Sequence, residues 1–414
     1  MPFAYRTQPW KSLFLAYFLT SVLLVRFPLW LIRSALPPLR PHPSWGFTRS
    51  LTLHVLKALG IELPLAVGYP AAPPPPEGAK AREVGCVWVE ALEEGAVQGE
   101  VGEMAQVNGV RPERRWGYWY GERDEEGGVG QAAREGEKVL YYIHGGAYIT
   151  GTAHPSAYTS TLIRTTLSAC SPAPRAFAIE YRTCASSPYP SANPFPAPLL
   201  DALAGYAYLR SLGFAPANII IAGDSAGGHL AVALTRYLTT ASNVKEGALG
   251  APGALLLLSP SLDWALTHEA RGRGTLRAHD GTDMVRPIFA CGYTARALLG
   301  ALPATFLAGP WLSPGALALG AGSDSSKGAD DDEDVDEGLE RFPHTLTIAG
   351  GLEGSVDAMR TFHARLARSI GERARYAEYA EAFHDFMLFG WVMEPERCCA
   401  VREVGAWLRE VYGE

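Results

Sequence analysis

The stretch "NIIIAGDSAGGHLAVAL", Asn218 to Leu234, constrains the fold more than any other part of the chain. Ile219, Ile220 and Ile221 are β-branched and apolar, which suits a strand buried on both faces. Leu230, Val232 and Leu234 stand among alanines, which suits a helix packed on a sheet. Between strand and helix lies Gly223-Asp224-Ser225-Ala226-Gly227, a turn with serine at its apex and glycines on either side. A strand that reverses at once into a helix belongs to α/β architecture, in which ligand sites gather beyond the carboxyl ends of the strands.

The rest of the chain repeats the alternation. "KVLYYIHG", "RAFAIEYR", "NIIIAGDS", "ALLLLSPSLDW", "HTLTIAGG" and "ARYAEY" read as strands. "PLLDALAGYAYLRSLG", "AGGHLAVALTRYL", "SVDAMRTFHARLARSIG" and "CCAVREVGAWLREVYG" read as helices. The predicted fold is therefore α/β, with a mainly parallel central sheet flanked by helices. Three low-structure stretches interrupt it. The proline-rich Tyr69–Lys80 is a connector, the glycine-rich Gly121–Lys138 is expected to be a hairpin loop, and the acidic stretch at about 320–338 a disordered surface loop.

Bulk properties narrow the function. The chain has 414 residues and a formal net charge of −7, so nothing points to a nucleic-acid partner. Six cysteines without Cys-x-x-Cys spacing argue against a disulfide framework or a structural zinc, and Cys398-Cys399 reads as buried helix surface. The segment Ser12–Ile32, "SLFLAYFLTSVLLVRFPLWLI", has the ~20 residues that a bilayer span needs. Arg26 and Pro28 interrupt it, and an arginine at mid-membrane costs about 2.5–3.5 kcal/mol on insertion scales. A signal-anchor over about Ser12–Val25, an interfacial hairpin or helix and a cleaved signal peptide all compete, beside a helix that merely covers the globular core. Membrane attachment is favoured, and cleavage ranks last because no small-x-small site follows. Arginines 26, 33, 40 and 49 lean towards a cytosolic body, and the chain has no Asn-x-Ser/Thr acceptor. The expected organisation is an apolar membrane segment, 1–44, and a catalytic domain, 45–414.

Chemistry concentrates at four places. Gly223-x-Ser225-x-Gly227 fits the elbow that exposes a strained serine, with helix N–H groups behind it for a developing oxyanion. His144-Gly145-Gly146-Ala147 ends a strand in small residues whose N–H groups can approach a carbonyl, His144 itself being read as structural. Of ten histidines only His384 follows the last strand on a turn, where the order serine, acid, histidine requires a base. The acid is Glu353 or Asp357. Asp357 falls in the first turn of a helix, where the dipole alone explains a carboxylate, so Glu353 is favoured.

These pieces resemble the hormone-sensitive-lipase-like branch of the α/β-hydrolases, which includes arylacetamide deacetylase and fungal membrane-associated esterases. "YIHGGAY", "GDSAGGHLAVAL", "LLLLSPSLDW", "FPHTLTIAGGLEGSVDAM" and "FHDFMLF" carry the resemblance over about Lys138 to Gly390, and the N-terminus with "LRPHPSWGFTRSL" resembles the fungal members. The resemblance implies Ser225 as nucleophile, His384 as general base, and oxyanion-hole N–H groups from the Gly145, Gly146, Ala147 and Ala226 positions, with Asp224 supporting the elbow. Two departures stand out: Ala147 replaces the family's third glycine, and Glu353 its usual aspartate. The implied reaction is hydrolysis of small lipophilic esters at a membrane (endoplasmic reticulum or lipid droplet), with no metal or organic cofactor. A cap is expected from about 45–66 and 271–312, with Phe289, Tyr293, Phe306 and Trp311 as candidate lining. An amidase with the same residues, a non-catalytic ligand receptor and a membrane structural protein are the rivals; the last two leave His384 or the whole pattern unexplained.

Overall fold

A computed structural model describes residues 2–170, 173–240, 249–272, 274–317 and 338–413. Among them one mixed sheet of eight strands organises the body: β1 (Cys86–Val89), β2 (Arg115–Gly121), β3 (Val139–Ile143), β4 (Arg175–Glu180), β5 (Ile219–Asp224), β6 (Ala254–Leu258), β7 (His344–Gly350) and β8 (Ala374–Tyr379). Their spatial order is β1-β2-β4-β3-β5-β6-β7-β8, with β1 and β2 antiparallel and β3 to β8 parallel. Every residue of β3, β4, β5 and β6 is buried, because helices cover both faces of the parallel part. The strand ends of β5, β7 and β8 therefore open on one edge of the sheet, where Ser225, Glu353 and His384 follow them.

Four expectations need correction. The strands β1 and β2 are additional to the six legible as such. Residues 121–138 are not a hairpin loop, because β4 lies between β2 and β3 and the segment crosses over it. The connector's end is helical, Gly78–Val84. Cys398 and Cys399 are exposed on the helix Glu394–Tyr412. The acidic stretch at 320–337 lies outside the described residues.

The N-terminus forms a pair of apolar helices, Trp10–Ala35 outside and Phe47–Val67 inside. The outer helix passes Arg26 and Pro28 without a break. It widens into a π-turn over Val22–Arg26, just before Pro28, where the wider turn makes room for the ring and for the missing N–H. Arg26 meets Glu62 of the inner helix at 3.2 Å and lies over the Phe18 ring, so its charge is answered within the pair. Residues 1–44 do not stand apart: Phe3 is buried in the main core.

Candidate active site

The chain leaves β5 at Asp224 and turns into the helix Ser225–Thr239 through Ser225, whose φ is +51°. A left-handed serine stores about 1–3 kcal/mol of strain, which the packed strand and helix on either side sustain. The turn is possible because its flanks lack Cβ atoms. A Cβ on Gly223 would stand 2.5 Å from the Gly227 carbonyl oxygen, and one on Gly227 would stand 2.1 Å from that of Ile143.

His384 Nε2 lies 2.9 Å from Ser225 Oγ, and its Nδ1 lies 2.8 Å from Glu353 Oε2. Both side chains are almost fully buried. Glu353 is fixed by its second oxygen, which accepts from the Ser259 hydroxyl at 2.7 Å and the Gly350 N–H at 2.5 Å. Asp357 points elsewhere: it accepts from the Thr275 N–H at 2.9 Å, capping the short helix Thr275–Ala278, and faces Arg360 at 3.5 Å. The structure thus brings Glu353, and not Asp357, to the imidazole.

Burial opposes a charge on His384, but the carboxylates of Asp385, Glu353 and Asp283 outweigh it and the net shift is upward. Asp385 stands 3.5 Å from Nε2 in a left-handed conformation. Its own carboxyl is pushed up mainly by burial; His384 pulls it back down, and Asp224, Glu353 and Asp283 push it further up.

The glycine loop is tied to the elbow by Asp224. One carboxylate oxygen accepts from Tyr142 Oη at 2.8 Å and the other from the Gly145 N–H at 3.1 Å. Burial raises this carboxyl to about 6, with the same two bonds pulling it back. The Gly145 N–H is thus engaged by Asp224 in this structure. The N–H groups of Gly146 and Ala147 donate to no acceptor among the described residues. Both residues have positive φ, +118° and +53°, which turns the peptides away from strand geometry. Ala226 is the second residue of its helix, so its N–H has no intrahelical partner. His144 stacks on Tyr181 at 4.3 Å, its Nδ1 lies 2.8 Å from the Gly145 carbonyl, and burial lowers it to about 4. It is neutral at ordinary pH and shapes the loop.

Four residues at the site carried no sequence signal that singled them out. Ser259 and Ser261 lie in "SPS" after β6; Ser259 holds Glu353, and Ser261 Oγ is 3.3 Å from Ser225 Oγ. Asp283 accepts from the backbone N–H of His384 at 3.1 Å and of Gly354 at 2.6 Å, clamping the acid and histidine loops together. Asp385 is the fourth, and only its adjacency to His384 could have drawn attention to it. Of the aromatic candidates, Phe289 stacks on Trp264 beside Tyr148, and Tyr293 precedes Thr294, whose hydroxyl reaches the Ala147 carbonyl at 3.2 Å. Trp311 instead binds Glu100, and Phe306 lies on the surface. No cluster of three or more His, Cys, Asp or Glu suited to a metal occurs among the described residues.

A sequence model described as alpha/beta hydrolase fold matches residues 140–388. The chain belongs to the α/β-hydrolase family. Within it the hydrolase falls in the hormone-sensitive-lipase-like branch of esterases and lipases. It is 28% identical over 286 residues to an acetyl-hydrolase of Streptomyces hygroscopicus, covering 68% of this chain and 79% of the relative. It is 30% identical over 282 residues to the esterase LipU of Mycobacterium tuberculosis, covering 67% and 79%. An esterase/lipase from an uncultured bacterium has the same fold, with a TM-score of 0.52 and 22% identity over 83% of this chain and 95% of the other.

Proposed function

We propose that this hydrolase cleaves carboxylic esters of lipophilic alcohols or short acyl groups, with Ser225 as nucleophile, His384 as general base and Glu353 as the acid that orients it. The observation that carries the reading is the continuous chain Ser225 Oγ–His384 Nε2, His384 Nδ1–Glu353 Oε2 at 2.9 and 2.8 Å. Ser225 Oγ attacks the ester carbonyl while Nε2 takes its proton. The carbonyl oxygen, now an oxyanion, is received by the N–H groups of Gly146, Ala147 and Ala226, each such donor being worth about 3 kcal/mol. Nε2 returns the proton to the departing alkoxide, and the alcohol leaves an acyl-serine. A water, deprotonated by the same nitrogen, attacks that acyl group and releases the acid. Glu353 stays ionised and stabilises the imidazolium.

Ala147 keeps its N–H but, relative to glycine, narrows the room for bulky alcohols. The apolar N-terminal helices favour substrates that partition into a membrane. The test is turnover of p-nitrophenyl esters of graded acyl length, with acyl anilides in parallel. Turnover of short and medium esters supports the reading; turnover of anilides alone would replace it with an amidase, and turnover of charged, water-soluble esters alone would remove the lipophilic substrate.

A further inference from the structure

The outer helix Trp10–Ala35 has 26 residues, most of them apolar, with little of it buried. At 1.5 Å per residue it measures roughly 39 Å, enough to cross a bilayer. Its two ends, however, are fixed to the same body. Before the helix, the Tyr5 N–H donates to the Ala66 carbonyl at 3.0 Å, and the Phe3 ring is buried edge-on against Tyr293 at 4.7 Å and Tyr189 at 5.2 Å. After the helix, the Arg40 guanidinium donates to the carbonyls of Ser34 and Trp45, both at 2.9 Å. Trp45 is buried in turn, donating to the Glu381 carbonyl at 3.0 Å and packing edge-on against Phe383.

Between these anchors the helix rests on its partner through Phe18, Trp30 and Ala58. The inner helix is seated on the body by Arg49 to Glu396 at 2.7 Å and Lys57 to Asp280 at 2.6 Å. A helix that crossed the membrane would carry one end to the far side, and neither end is free to go.

We infer that the outer helix lies flat in the interface of an anionic membrane, its exposed apolar face in the lipid and both its ends on the side of the catalytic body. The exposed face presents Trp10, Leu13, Tyr17, Leu24, Leu29 and Ile32. An exposed apolar surface of this extent suits lipid better than water, and the two tethered ends, rather than any polar face, are what hold the helix flat. Charge selects the lipid. Residues 1–49 contain six cations (Arg6, Lys11, Arg26, Arg33, Arg40 and Arg49) and no carboxylate, in a chain of net charge −7. Arg26 and Arg49 are paired with Glu62 and Glu396, so Arg6, Lys11, Arg33 and Arg40 carry the local excess. It is drawn to anionic headgroups while the rest of the body is repelled, which orients the molecule.

The anchors sit at the two halves of the site. Trp45 packs on Phe383, next to His384, and Phe3 packs on Tyr293, next to the Thr294 that holds the Ala147 carbonyl. Resting on the esterase reading for this step alone, the arrangement sets the lipid plane against the edge of the sheet where Ser225 lies. Esters dissolved in the bilayer are then the substrates delivered.

Vesicle binding by the full chain tests the seat without reference to catalysis. Flotation with phosphatidylcholine vesicles, with and without phosphatidylserine, should show binding that requires the anionic lipid. Lys11→Glu with Arg33→Glu should weaken it by roughly tenfold or more, at a few-fold per reversed cation. Leu13→Glu with Leu24→Glu should abolish it while turnover of a soluble p-nitrophenyl ester is unchanged. Topology is read by an impermeant maleimide on vesicle-bound protein carrying Thr7→Cys or Ser44→Cys, with the exposed Cys398 as the body's reporter. Equal labelling at 7, 44 and 398 supports the flat seat. Protection of 7 or 44 until detergent is added would overturn it in favour of a span. A stable dimer that hides the helix and ignores vesicles would overturn it in favour of a second copy.

Discussion

Replacing Glu353 by glutamine changes one atom and should all but stop the reaction. The carboxylate uses its oxygens differently: Oε1 accepts from Ser259 and Gly350, and Oε2 faces His384 Nδ1. In the amide, the oxygen must take the Oε1 place, because two donors converge there and an NH2 group would oppose both. The NH2 then faces Nδ1, which can only accept, so the proton sits on Nε2 and cannot be exchanged for that of Ser225. A wrong tautomer of this kind costs about 10⁴ in kcat in serine hydrolases, or roughly 5.5 kcal/mol. Asp357→Asn removes only a charge at the start of a short helix. The amide oxygen can still accept from the Thr275 N–H, so the change should cost less than about 1 kcal/mol of stability and leave kcat within roughly tenfold. The assay is kcat and KM on p-nitrophenyl butyrate for both variants, with circular dichroism melts to check folding. A Glu353→Gln enzyme that keeps a tenth of wild-type kcat, or an Asp357→Asn enzyme that falls as far, refutes the reasoning.

Three further outcomes follow from the same contacts. Turnover needs the neutral imidazole, and nearby carboxylates raise the pKa of His384; Asp385→Asn should therefore move the acidic limb of the kcat/KM–pH profile to lower pH, whereas an unmoved limb would remove Asp385 from the balance. Asp224→Ala strands the Tyr142 hydroxyl and the Gly145 N–H in a buried site, so chemical denaturation should show a loss of about 2–4 kcal/mol, and a loss below about 1 kcal/mol would mean the loop is held by other contacts. Ala147→Gly relieves a left-handed alanine and should gain up to about 1 kcal/mol in the same experiment, a clear loss counting against strain at that residue.

The parallel half of the sheet was legible because its strands are buried on both faces and written as unbroken apolar runs, "YYI", "III" and "LLLL". β2 was not. In "RWGYWYG" the aromatics are broken by glycine, and Gly117 is there because a Cβ would stand 2.3 Å from the Phe177 ring. That is a tertiary requirement, invisible to periodicity. The exposed pair Cys398-Cys399 shows the converse, since apolar composition alone does not say which side of a helix meets water. At the site, the elbow and His384 could be placed by local pattern and chain order. What escaped was held by contacts between distant segments. Asp283 reaches His384 across 101 residues, and Gly145 loses its N–H to Asp224 across 79. No spacing rule encodes either. The N-terminal pair was legible as apolar, but its seat depends on Phe3 and Trp45, two aromatic side chains whose partners lie far along the chain.

If Ser225 is the nucleophile, it is acylated during turnover. The most direct measurement is intact-protein and peptide mass spectrometry after brief reaction with a p-nitrophenyl alkylphosphonate, run beside Ser225→Ala and with ester turnover recorded for both. One phosphonyl adduct is expected on the peptide containing Ser225, with loss of activity in step with its formation and neither adduct nor turnover in a folded Ser225→Ala protein. Undiminished turnover by Ser225→Ala, or an inactivating adduct on any other residue, would contradict that role for Ser225.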